Sequence, residues 1–294
     1  MKTSELEPQI QNVAQDRLNR RKFFRQAGLF GFGAIASSVA LSGTSAKAQQ
    51  NGGQALDTVD QMFTAFLIAE DLATTFYYNG LTGAVVQDPS LAGPGGTIRD
   101  PKGDPGNVDY LGAAYAQEVE HAHYFRAKLT GSAKHEERDP YQTFYFPAGT
   151  FDSIGGFLPI LNALENAFIG AYIILIQELS YKAVQAAAGT LIGRDARFTS
   201  KQYQLLASVA GSILGVEAEH RVLGRVIGGS NPANNLYYEQ TDGLTSIYNG
   251  SKSAVVALTP FLSPGTGPGY SLATALAGYS SVYKSSTGQP PVSA

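Results

Sequence analysis

Residues 117–125 read "QEVEHAHYF" and put two histidines and two glutamates within a few positions of a chain that has four histidines in all. Such a stretch is either a charged patch on a solvated helix or half of a metal site, and a second half elsewhere would decide which. Residues 216–227, "VEAEHRVLGRVI", supply one. Glu217-x-x-His220 repeats the spacing of Glu118-x-x-His121. Residues i and i+3 share a helical face, so each motif sets a carboxylate beside an imidazole. Independent placement of 12 Glu and four His would give only about 0.16 such pairs in the chain, so two on separate helices are informative.

A third pair, Glu120-x-x-His123, overlaps the first. Periodicity separates them. Leu111, Tyr115, Glu118, Ala122, Phe125 and Leu129 form one stripe with His121 beside it, whereas Glu120 and His123 share a more polar face with Ala113, Gln117 and Ala127. Glu118 and His121 are read as facing inward, and Glu120 and His123 as outside or supporting.

Four segments carry helical periodicity: about 57–86, opening at Asp57 as N-cap, then 108–129, 157–187 and 199–227. The third contains "AFIGAYIILIQEL" and is apolar on nearly all sides, as a central buried helix is. Residues 87–107 are too rich in Pro and Gly to continue a helix. The connector after the second helix is long enough to cross the length of a bundle. The expected fold is all-α: an up-and-down four-helix bundle with a long crossover, an irregular Gly/Pro-rich insertion and a C-terminal extension. The stretch "YSLATALAGYSSVY" (270–283) is expected to add a short helix to that extension.

The first and third helices each place a lone glutamate in an apolar face: Glu70 near Phe66, Leu67 and Tyr77, and Glu165 between Leu161 and Phe168. A buried carboxylate is seldom tolerated without a cation or partner. Glu178 competes with Glu165, and depth decides against it. In antiparallel third and fourth helices it would sit about 16 Å from the level of Glu217 at 1.5 Å per residue. Tyr77 and Tyr172 lie two turns from Glu70 and Glu165 and are read as core aromatics rather than redox-active ones, the alternative for the two glutamates being a hydrogen bond to Tyr or Asn.

The predicted ligand set is therefore Glu70, Glu118, His121, Glu165, Glu217 and His220. One Glu from each of two helices with Glu-x-x-His from each of the other two suits two divalent ions, and hard oxygen donors with two imidazoles suit Fe or Mn. Bridging carboxylates would hold such ions about 3.5–4 Å apart, where O2 or peroxide can bind across them.

The remaining chemistry is bounded by composition. The chain has no cysteine, which excludes disulfides, thiolate metal sites and a cysteine nucleophile. A formal charge of −3 leaves no basic footprint for nucleic acid. That charge is uneven: residues 1–48 carry seven Lys/Arg and three acids. "NRRKFFRQAGLFGFGAIASSVALSGTSAKAQQ" runs from a basic region through a short apolar segment to small residues, with "AKA" (46–48) fitting a cleavage site. Arg20–Arg21 followed by Lys22-Phe23-Phe24 resembles a twin-arginine export signal. The expected organisation is a signal peptide over 1–48, a linker over 49–56, the bundle over 57–230 and a partly irregular extension over 231–294. The mature protein is expected outside the cytoplasmic membrane, periplasmic or extracellular, with no stable membrane span.

"FLIAEDLATTFYY", "QEVEHAHYF", "LENAFIGAY" and "VEAEH" together resemble the ferritin-like superfamily, and in particular its exported, desiccation-related members. The resemblance covers about 57–230. It implies a di-metal centre of Fe or Mn at the six residues and an oxidoreductase acting on O2, peroxide or Fe(II). The alternative is a protective or structural protein whose metal is structural or vestigial. An iron-storage cage fits less well, because the insertion and tail would obstruct close subunit packing. Sequence leaves the oligomeric state open.

Overall fold

The computed structural model describes residues 57–98, 106–230 and 254–280. The expected signal peptide and the 49–56 linker lie outside the described residues. Four long helices dominate: α1 (Val59–Thr82), α2 (Asn107–Thr130), α3 (Ile154–Ala187) and α4 (Ser200–Ile227).

Local chemistry sets their ends. Thr58, and not Asp57, caps α1: its hydroxyl accepts from Gln61 N, and the Gln61 side chain returns to Thr58 N, closing a capping box. α1 ends at Thr82, short of residue 86, and gives way to two 3-10 turns, Ala84–Gln87 and Pro89–Ala92. Asp88 caps the second turn through Ser90 N at 2.9 Å, and its other oxygen accepts from Ile154 N at 2.8 Å. One side chain thereby fixes the start of the insertion to the start of α3. α2 stops where Gly131 takes the left-handed conformation at φ 83°. α4 begins with a second capping box, Thr199 with Gln202.

α1 packs chiefly on α2, and α3 on α4. Phe66 of α1 stacks on Phe125 of α2 while Tyr78, further along α1, meets Tyr115, nearer the start of α2, so those helices are antiparallel. Tyr77 reaches Glu165 and Tyr172 reaches Glu70, so α1 and α3 are antiparallel too. It follows that α2 and α3 run parallel, and that residues 131–153 must travel the length of the bundle between them. This is the expected crossover.

The crossover is not structureless. Its β1 (Thr143–Tyr145) pairs antiparallel with β2 (Gly269–Ser271), with Phe144 opposite Tyr270. Two short helices, α5 (Ala254–Leu258) and α6 (Leu272–Ala277), flank β2 in the sequence. α6 is the expected helix in 270–283. Leu272 and Ala275 are fully buried, and the Tyr115 hydroxyl donates to Ala275 O at 2.5 Å, so this part of the extension is packed into the body.

Among the described residues, buried apolar side chains fall into two clusters. One gathers Phe76, Phe146, Phe157, Leu161 and Phe168, the other Phe63, Phe66, Phe125, Tyr172 and Tyr203. The glutamates and histidines occupy the level between them. α3 is long and apolar enough by composition to cross a membrane, but 56% of its most apolar window is buried in the protein. It also carries buried Glu165, Glu178 and Lys182, as a central bundle helix can.

Candidate metal centre

All six predicted ligands converge. Glu70, Glu118 and Glu217 are 0% exposed, Glu165 1%, His220 4% and His121 8%. Their donor atoms form two overlapping groups: Glu70, Glu118, His121 and Glu217, and Glu118, Glu165, Glu217 and His220. Within each group the donor atoms lie within 4.8 Å of one another. Glu118 and Glu217 belong to both, which is the arrangement of two adjoining sites sharing a pair of carboxylates.

Imidazole placement follows the i, i+3 geometry. His121 Nδ1 lies 3.2 Å from Glu217, 3.4 Å from Glu70 and 3.6 Å from Glu118. His220 Nδ1 lies 2.9 Å from Glu118, 3.5 Å from Glu217 and 3.9 Å from Glu165. α4 can come close enough because Gly224, one turn after His220, has no side chain: a Cβ there would strike Leu161 and Asn162 of α3.

The alternatives fall outside. His123 Nδ1 pairs with Glu120 at 3.5 Å, their side chains 24% and 48% exposed, on the outer face of α2. Glu178 is buried on α3 but belongs to neither group. His135 sits in the crossover beside Glu137 at 3.1 Å.

Whether these residues suit a metal is tested by the polar atoms left over. Glu70 Oε2, both oxygens of Glu118 and of Glu217, Glu165 Oε2, and Nδ1 of His121 and His220 are all buried without an aligned hydrogen-bond partner. Buried polar atoms are rarely left so, and here they face one another. Burial, together with Glu217 and Glu118, pushes the Glu70 carboxyl well above its ordinary range. Burial does the same to Glu165, against the attraction of His220. Glu118 goes the other way: the attraction of the adjacent His121 and His220 imidazoles outweighs its burial and holds it far below that range. Burial also opposes charge on both imidazoles, but their carboxylate neighbours prevail and raise them well above the ordinary value. A donor set this acidic, buried and unsatisfied could hold a metal ion, and a cation is what would replace the protons it must otherwise keep.

Three further side chains complete the surroundings. Tyr77 of α1 donates its hydroxyl to Glu165 Oε1 of α3 at 2.5 Å, and Tyr172 of α3 donates to Glu70 Oε1 of α1. Each tyrosine thus orients the glutamate on the opposite helix. Both are core aromatics, as expected, and they are also the partners a buried glutamate needs; the two-turn spacing from each glutamate is the sequence sign. Gln117 Oε1 lies 2.8 Å from His220 Nε2. Nothing in the sequence marked Gln117, which shares the polar stripe of Glu120 and His123.

Comparison with known proteins agrees with this geometry. Neither the curated proteins nor the solved structures give a match. A family model described as a ferritin-like domain matches residues 58–206, just over half of the 294 residues. The match takes in α1 to α3 with Glu70, Glu118, His121 and Glu165, and it stops before Glu217 and His220, which the fold brings to the same place. With the four-helix bundle, the long crossover and this match in hand, the chain belongs to the ferritin-like domain family.

Proposed function

We propose that the chain is an exported oxidoreductase with two Fe or Mn ions, acting on O2, peroxide or Fe(II). The observation that carries this reading is that two buried donor groups share Glu118 and Glu217. Glu118 and Glu217, common to both groups, would help to hold both ions, with Glu70 and His121 completing one site and Glu165 and His220 the other. Four carboxylates balance the charge of two divalent cations, and the oxygen-rich set with two imidazoles favours Fe or Mn over softer metals. When bound, such a pair supplies redox equivalents and Lewis acidity to a small oxidant.

The protein's own residues do the rest. With no ligand more than 8% exposed, the packed helices exclude bulk water and limit direct access to molecules of the size of O2 or peroxide. Tyr77 and Tyr172 hold one oxygen of Glu165 and of Glu70, which leaves the other oxygen of each available to a metal. Export rests on the Arg20–Arg21 pair, the short apolar segment and the "AKA" site in the first 48 residues. The twin-arginine route carries folded proteins, which suits a centre loaded before export.

Metal content tests the proposal. Protein purified from the exported fraction should carry about two Fe or Mn per chain by plasma mass spectrometry, the stoichiometry of a two-metal site. A Glu118→Ala/Glu217→Ala variant should carry none. The loaded protein should consume peroxide, or O2 in the presence of Fe(II). Metal that is bound and needed for folding, with no consumption of either oxidant, would instead assign the site a structural role in a protective protein.

A further inference from the structure

The two half-sites have the same ligands but not the same support. Behind His220, Nε2 is engaged by Gln117 Oε1 at 2.8 Å, and the ring meets that of Tyr77 edge-on, with centroids 5.7 Å apart at 66°. Behind His121 there is neither. Its Nδ1 faces the carboxylates, its Nε2 has no hydrogen-bond partner among the described residues, and it is the most exposed of the six ligands at 8%. The position in the α4 motif that corresponds to Gln117 is Val216, which offers no acceptor.

A histidine can bind a metal through Nδ1 only if that nitrogen presents its lone pair, which requires the ring hydrogen to sit on Nε2. An acceptor at Nε2 enforces that tautomer, fixes the ring plane and makes the ligand more basic. The Gln117 amide oxygen is such an acceptor, delivered from α2 to a histidine on α4. It therefore joins the two Glu-x-x-His helices directly behind the site.

We infer that Gln117 is a positioning residue that holds His220 as an Nδ1 ligand, and that it makes the Glu165–His220 half-site the pre-organised one, filled first and held more tightly than the Glu70–His121 half-site. The inference rests on the di-metal reading for its metal-binding consequence, and on geometry alone for the histidine contact.

Two measurements test it. In a stepwise titration of metal-free protein with Mn(II) against a chromophoric chelator, the native chain should bind in two steps. Gln117→Leu should weaken the tighter step by about 10–100-fold, the usual cost of losing such a partner, and leave the weaker step unchanged. Gln117→Glu, which keeps an acceptor, should restore the tighter step, whereas Gln117→Asn, too short to reach, should behave like the leucine variant. Equal weakening of both steps, no change in Gln117→Leu, or a glutamate variant as weak as the leucine one overturns the inference. The second measurement needs no metal. The ring Nε2–H of His220, followed by 15N-resolved NMR in the metal-free chain, should exchange slowly with water in the native protein and in Gln117→Glu, and rapidly in Gln117→Leu. If the native protein binds no metal, the di-metal reading fails while slow exchange still upholds the Gln117 contact. Rapid exchange in the native protein overturns it.

Discussion

Glu70 and Glu165 each have one oxygen bonded to a tyrosine and one left bare. The tyrosine cannot be replaced without leaving the first oxygen bare as well. Tyr172→Phe removes the hydroxyl from a fully buried pair and puts nothing in its place, and an abandoned buried acceptor costs about 1–3 kcal/mol. Urea denaturation of metal-free Tyr172→Phe should show a loss of that size with an unchanged m-value; a loss within error would mean that the bond to Glu70 does not contribute. Tyr77→Phe should behave alike, since it stands to Glu165 as Tyr172 stands to Glu70. At this scale the sequence was legible wherever a spacing rule applied. Glu118/His121 and Glu217/His220 declared themselves through i, i+3 pairing, and Glu70 and Glu165 through isolation in apolar stripes. Gln117 broke no rule, so nothing distinguished it from solvated neighbours. Its role depends on a residue on another helix, and single-helix periodicity holds no record of such a partner.

Helices carry a period long enough to read, which is why all four are legible in the sequence, and depth along α3 alone separates Glu165 from Glu178. Their ends depended on which of two adjacent residues could complete a capping box, as Thr58 does where Asp57 was expected. β1 and β2 were not foreseen, because strands of three residues are too short to show alternation. The crossover hides a stronger tie. Arg126 of α2 is fully buried and donates through Nε and Nη2 to Asp139 of the crossover, at 2.8 Å and 2.5 Å, and through Nη2 to Asp71 of α1 at 3.2 Å. Burial, with Asp139 nearby, raises the Asp71 carboxyl well above its ordinary range. Three elements are pinned at one guanidinium. Removing one partner from a buried ionic group is far costlier than replacing the whole group by apolar residues, so Arg126→Met should destabilise the protein by about 3–5 kcal/mol. The triple change Asp71→Leu/Arg126→Met/Asp139→Leu should recover much of that loss. Chemical denaturation of both variants checks this, and a triple variant no better than the single one would refute the account.

Across the whole molecule, the centre couples folding to protons. Glu70 and Glu165 hold protons in the folded chain above the ordinary 4.5 at which the unfolded chain releases them. His121 and His220 likewise remain charged above the ordinary 6.5. For all four the folded state binds more protons than the unfolded one, so their stabilising contribution is complete below those ordinary values and fades as pH rises through the folded ones. Glu118 has the opposite sign, but its contribution is already present above its ordinary 4.5 and is lost only under strong acid. The metal-free protein should therefore melt at a lower temperature at about pH 8 than at about pH 5.5, against the common rise of stability toward neutrality. Metal ions held there as proposed would occupy the same lone pairs and reverse the slope. Their binding would expel the extra protons, so affinity should increase with pH, and the gap in melting temperature between loaded and chelated protein should widen from about pH 5.5 to about pH 8. Scanning calorimetry of both forms across this range measures the gap, and titration calorimetry in two buffers of different ionisation enthalpy counts the protons released. If the chelated protein instead became more stable as pH rose, the folded cluster would not hold the extra protons; if binding released none, the cluster of Glu70, Glu118, His121, Glu165, Glu217 and His220 would not be the place where the metal binds.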